Sequence, residues 1–99
     1  MIVYSVRVEI KPQIFEDYIR FLVEKHINDV LSTNCFYYFE LKLLLNNLSD
    51  DKIIYIDYFC ENENILDNYL NNYAQKLREE VKFKFGDNFT ATRQIYKLI

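Results

Sequence analysis

Along this chain the hydrophobic period switches from two residues to about 3.6 and back, twice over, and few folds accept that order. Residues 2–10 alternate Ile2, Tyr4, Val6, Val8 and Ile10 against Val3, Ser5, Arg7 and Glu9, the pattern of a strand with one apolar face. Pro12 then suits the first turn of a helix. Phe15, Ile19, Leu22, His26 and Val30, with Tyr18 alongside, form an amphipathic stripe that ends near Leu31. Asn34 is a candidate left-handed cap residue.

The alternation returns twice. Cys35 to Asn46 and Lys52 to Cys60 read as a hairpin closed by the polar turn Asn47–Asp51. Asn62 is a good N-cap, and Leu66, Tyr69, Leu70, Tyr73, Leu77 and Val81 mark a second helix that Gly86 stops. Asn88 to Ile99 is a last strand. The order strand, helix, strand, strand, helix, strand predicts an α+β, ferredoxin-like βαββαβ fold. Its four strands make one antiparallel sheet, with both helices on one face. At 99 residues the chain is expected to be a single domain, residues 1–99.

Composition narrows the function. Fifteen acidic residues against twelve basic give a net charge of −3, which argues against nucleic acid as a partner. The longest apolar run, Cys35 to Phe39, is too short for a membrane span. The alternating, charged N-terminus is unlike a signal peptide, so a cytoplasmic location is expected. A single Gly excludes glycine-rich phosphate loops. Abundant Asn, Ile, Tyr and Phe beside one Pro and no Trp read as the coding bias of an AT-rich, bacterial genome.

The segments MIVYSVRVEI, HINDVLSTNCF, YFCENENILDNYL and AQKLREEVKFKFGDNF resemble the DUF4286 family of short bacterial proteins, over nearly the whole chain. Asn28 and Asn34 depart from the Pro and Gly expected there. Both lie at the end of the first helix, so the fold is not put in doubt. The family is similar to the dimeric α+β barrel superfamily. The resemblance implies that fold and a dimer, and brings no reaction and no catalytic residues.

His26, the only histidine, has two readings. It is a proton shuttle or ligand-binding group reaching a cavity, or a core histidine satisfied by a backbone carbonyl or a tyrosine. The second weighs more, because no partner is visible in sequence. Cys35 and Cys60 lie roughly opposite in the hairpin, so a disulfide is conceivable. Two Cys and one His leave zinc short of a ligand, however, and two free buried thiols are the preferred reading. No metal and no cofactor are expected. The second helix's Lys76, Arg78, Glu79, Glu80, Lys82 and Lys84 read as a solvated face.

Ionised Arg7, Glu9, Glu40, Lys42 and Asp57 must sit on the sheet face away from the helices. The same parity puts Val3, Phe36, Tyr38, Leu44, Ile53, Tyr55 and Phe59 there, more apolar surface than a monomer usually leaves open. The expectation is a homodimer with sheets facing each other, with Val3, Phe36, Tyr38, Tyr55 and Phe59 in the interface. The parity of the last strand, with Arg93 and Lys97 opposite Thr90, Thr92 and Gln94, stays open. Candidate ligand-binding residues are Arg7, His26, Tyr55 and Asp57, with Arg7 and Asp57 placed side by side in mid-sheet. The role follows as an assembly or small-ligand-binding module. The alternative is a cofactor-free oxygenase or isomerase acting on a small apolar or aromatic substrate.

Overall fold

A computed structural model describes residues 1–99. Strand β1 (Ile2–Ile10) is followed by a 3₁₀ turn (Pro12–Ile14), α1 (Phe15–Phe21), a π-helical segment (Leu22–His26) and α2 (Ile27–Leu31). Then come β2 (Tyr38–Leu43), β3 (Lys52–Cys60), α3 (Glu63–Asn72), α4 (Ala74–Phe85) and β4 (Phe89–Lys97). The sheet order is β2-β3-β1-β4 with every pair antiparallel, which is the ferredoxin-like arrangement. Ile2, Tyr4, Val6, Val8 and Ile10 of the central strand β1 face the helices and form the middle of the core.

Local signals end the helices as expected. Asn34 takes a left-handed φ of 62° after α2. The Asn62 side chain accepts a 3.0 Å hydrogen bond from the Ile65 amide at the start of α3, and Gly86 stops α4 at φ 60°.

Three expectations are corrected. The first helical stretch is not uniformly α. Tyr18, Leu22, Ile27 and Val30 are its buried residues, and the five-residue step from Leu22 to Ile27 spans the π segment. A π turn holds one residue more than an α turn, so Ile27, absent from the predicted stripe, rotates into the core.

The second correction concerns β2, which begins at Tyr38, not Cys35. Phe36 precedes the strand and escapes its alternation. Its ring lies 4.8 Å from Tyr69, 5.3 Å from Tyr58 and 6.1 Å from Tyr4, on the helix side. Phe36 is therefore a core residue and not a candidate for the dimer interface. Burying a large ring among three others outweighs the loss of strand pairing before Tyr37.

Third, the second helix breaks at Tyr73, where φ −128° and ψ −34° separate α3 from α4. The break turns the face that α4 buries, so Ala74, Val81 and Phe85 are the residues it hides.

Candidate functional site

A cavity of about 50 Å³ lies between the helix-facing side of the sheet and the helices. Tyr18 of α1, His26 of the π segment, Tyr69 of α3 and Arg78 of α4 wall it from above. Tyr4 and Tyr58 of the central strands and Arg93 of β4 wall it from the sheet. Because Val6 pairs with Arg93, Val8 with Ala91 and Ile10 with Phe89, the odd-numbered residues of β4 face the helices. That pairing resolves the parity the sequence left open.

The polar groups here are unevenly served. Arg78 Nη2 donates to the Tyr4 hydroxyl at 2.7 Å. His26 Nδ1 is buried and meets no hydrogen-bond partner. This contradicts the reading of a core histidine satisfied on both nitrogens. Burial holds the His26 imidazole below its usual pKa, opposed by the nearby carboxylates of Asp29 and Glu80, so the ring is neutral at pH 7. Phe21 stacks beside it, with ring centroids 6.1 Å apart. Burial pushes the phenols of Tyr18, Tyr58 and Tyr69 up, and the Arg93 charge works against that at Tyr18 and Tyr69. All three are neutral hydroxyls near pH 7. The wall carries two guanidiniums, one imidazole and no carboxylate.

The opposite sheet face is ordered in rows by the strand register. Tyr38, Phe59, Val3 and Tyr96 form one row across all four strands, and Glu40, Asp57, Ser5 and Gln94 the next. Lys42, Tyr55, Arg7 and Thr92 form a third. Arg7 and Asp57 lie on neighbouring strands, as expected, yet they do not pair. Arg7 Nη1 donates to Glu9 at 2.7 Å, while Asp57 accepts from Ser5 Oγ at 2.5 Å and Lys42 Nζ at 2.7 Å. The register explains this, because Asp57 stands opposite Ser5 and Glu40, and Arg7 opposite Tyr55 and Thr92. Each charge is satisfied one pleat away from the other. Val3 and Ile53 are also buried within the single chain, so the open apolar surface is smaller than expected. It consists of exposed Tyr38 and Tyr96 beside half-buried Tyr55, Phe59 and Leu44. Cys35 and Cys60 are two separate buried thiols, the Cys60 thiol pushed up by burial.

The family model for a domain of unknown function, DUF4286, matches residues 1–99. The chain belongs to that family. No curated protein matches it. Among solved structures it is similar to an ethyl tert-butyl ether D (EthD) family protein of Bacillus halodurans, with TM-score 0.70, 12% identity and full coverage of both chains. It is also similar to a dimeric ferredoxin-like protein of an uncultured marine organism, with TM-score 0.70, 13% identity and coverage of 100% and 95%. SnoaB, a cofactor-independent oxygenase from Streptomyces nogalater, aligns at TM-score 0.61 and 12% identity, covering 98% of this chain and 92% of its own. At such identities the likeness is one of fold.

In this DUF4286 protein the four candidate ligand residues fall on two faces of the sheet. His26 lines the interior cavity, whereas Arg7, Tyr55 and Asp57 lie on the far side. Sequence reading missed Arg78 and Arg93. Arg78 was grouped with a solvated charged face, but it falls between Ala74 and Val81 on the stripe that ends at Phe85. A charged residue at a stripe position was the available signal. Arg93 had none, because its strand is an edge whose two faces are both mixed.

Proposed function

We propose that this DUF4286 protein is a homodimeric small-ligand-binding module. Its ligand site is the cavity between sheet and helices, and a second copy of the chain covers the open sheet face. One observation carries the ligand reading: the buried, unpartnered Nδ1 of His26 on the cavity wall. Leaving such a nitrogen unsatisfied costs about 1–3 kcal/mol, and a fold tolerates that where a bound molecule supplies the partner. A π segment at the same place supports the reading, because π turns recur where a side chain is re-aimed toward a site.

The dimer rests on the row Tyr38, Phe59, Val3 and Tyr96, an apolar strip across a sheet that no helix of its own chain covers. A second copy is the occupant that fits, since solved structures with this fold are described as dimeric ferredoxin-like proteins. No helix is long and apolar enough to cross a membrane, and two buried free thiols suit a reducing cytoplasm.

A second reading, a cofactor-free oxygenase or isomerase, draws support from the likeness to SnoaB and from a neutral imidazole beside buried phenols. It requires movement, because a cavity that takes benzene measures about 150 Å³. Native mass spectrometry after incubation with fragment mixtures tests the module. A mass of two chains, with a fragment retained by the wild type and lost in His26→Leu, is expected. A monomer, or fragments retained equally by both proteins, refutes it.

A further inference from the structure

We propose that the cavity is a binding site for a short-chain monocarboxylate, its carboxylate held at the mouth by Arg78 and Arg93 and its aliphatic stem directed inward. This rests on the ligand-binding reading above and names its ligand class. The first argument is charge. The chain carries a net charge of −3, yet the cavity wall collects two arginines and the only histidine with no Asp or Glu among them. Elsewhere arginines find carboxylates: Arg7 pairs with Glu9 at 2.7 Å and Arg20 with Asp17 at 3.1 Å. Arg78 donates only to the Tyr4 hydroxyl, and Arg93 makes no ion pair. The two guanidiniums without a carboxylate are the two on this wall.

The second argument is layout. Arg78 and Arg93 are exposed, whereas Tyr4, Tyr18, Tyr58 and Tyr69 are buried, so the positive charge sits at the rim and the apolar lining behind it. Val6, Val8, Leu22, Val30, Ile56 and Val81 make up much of that lining. A planar guanidinium fork matches a carboxylate with two parallel hydrogen bonds. Behind the rim the lining is mostly apolar and suits a hydrocarbon stem, and its polar groups, the tyrosine hydroxyls and the neutral His26 ring, supply no cation for a phosphate's second negative charge.

The third argument is size. A water needs about 10–15 Å³ of such volume, so a cavity of about 50 Å³ holds roughly three to five heavy atoms. Propionate, with its five heavy atoms, fits, whereas a benzoate ring does not fit without opening the helices.

The test is titration of the full chain with sodium propionate, 1-propanol and inorganic phosphate, each followed by NMR shifts of the His26 ring. Arg93→Gln, on an exposed edge strand, should keep the fold, which guards against misfolding of Arg78→Gln. Arg20→Gln, on the outer face of α1, is the control. Propionate is expected to shift the His26 resonances saturably. Arg93→Gln should weaken it at least tenfold and Arg20→Gln should leave it unchanged. If propanol binds at His26 as well as propionate does, the carboxylate inference fails while the ligand-binding reading stands. Phosphate competing equally also overturns the inference. Should none of the three move His26, the inference fails, and the fragment experiment on His26→Leu judges the broader reading separately.

Discussion

Replacing His26 with Leu should make this protein more stable. A histidine whose Nδ1 is buried without a partner carries the desolvation cost of that nitrogen, about 1–3 kcal/mol. Leucine has no such group, and its neighbours Leu22 and Val30 are 1% exposed, so the new methyls meet an apolar surface. Against this stands the loss of the stacked contact with Phe21, about 0.5–1.5 kcal/mol for a ring pair. The balance is a gain of about 1 kcal/mol, or roughly 4–8 °C in Tm for a domain of this size. Thermal unfolding by circular dichroism at pH 7.5, at one fixed protein concentration because self-association would make Tm depend on it, gives the answer.

The pH dependence should change with it. Burial lowers the His26 pKa below the value of about 6.5 in the unfolded chain. Below that value the unfolded state therefore binds the extra proton, and the histidine's contribution to wild-type stability is lost as pH falls. Above it the contribution is complete. Asp29 and Glu80 favour the proton, while Lys25 and Arg93 oppose it, and none reverses the direction. The Leu variant should lose this part of the slope between pH 7 and 5. A variant that melts several degrees lower at pH 7.5, or keeps the full acid slope, would show that Nδ1 is satisfied and refute the reasoning.

Phe36→Ala should cost about 3–5 kcal/mol in urea unfolding, the range for a large buried ring, whereas removing a ring exposed on the open sheet face would leave the fold nearly untouched. Light scattering should give twice 12.1 kDa for the wild type. Tyr38→Glu or Tyr96→Glu should shift that toward one chain, while Phe83→Glu on exposed α4 surface should not. Asp57→Asn removes the acceptor charge shared by Ser5 and Lys42 and should destabilise by about 1–2 kcal/mol without altering propionate binding, since it lies across the sheet from the cavity. Thiol counting on the denatured, unreduced chain should find two per molecule, and a count of zero would mean that Cys35 and Cys60 are bridged.

What the sequence determined by itself is what short-range physics controls. Alternation in residues 2–10 and 52–60 defined β1 and β3 to the residue, and Asn34, Asn62 and Gly86 marked helix ends, because caps and left-handed turns depend on neighbours a few positions away. Element order then left the ferredoxin-like sheet as the natural solution, and the open-face parity of Tyr38, Tyr55, Asp57 and Phe59 followed from the charges among them. Tertiary structure decided the rest. Phe36 left its strand's alternation because three aromatic rings from β1, β3 and α3 converge on it, and no local window contains all three. The π turn that brings in Ile27, and the break at Tyr73 that places Arg78, adjust helices to the sheet beneath them. Arg7 and Asp57 took separate partners because register, fixed only when strands pair, sets which side chains stand opposite. The candidate site belongs to this second group. His26, Arg78 and Arg93 lie far apart in the chain, and only packing of the helices on the sheet gathers their charge around one cavity.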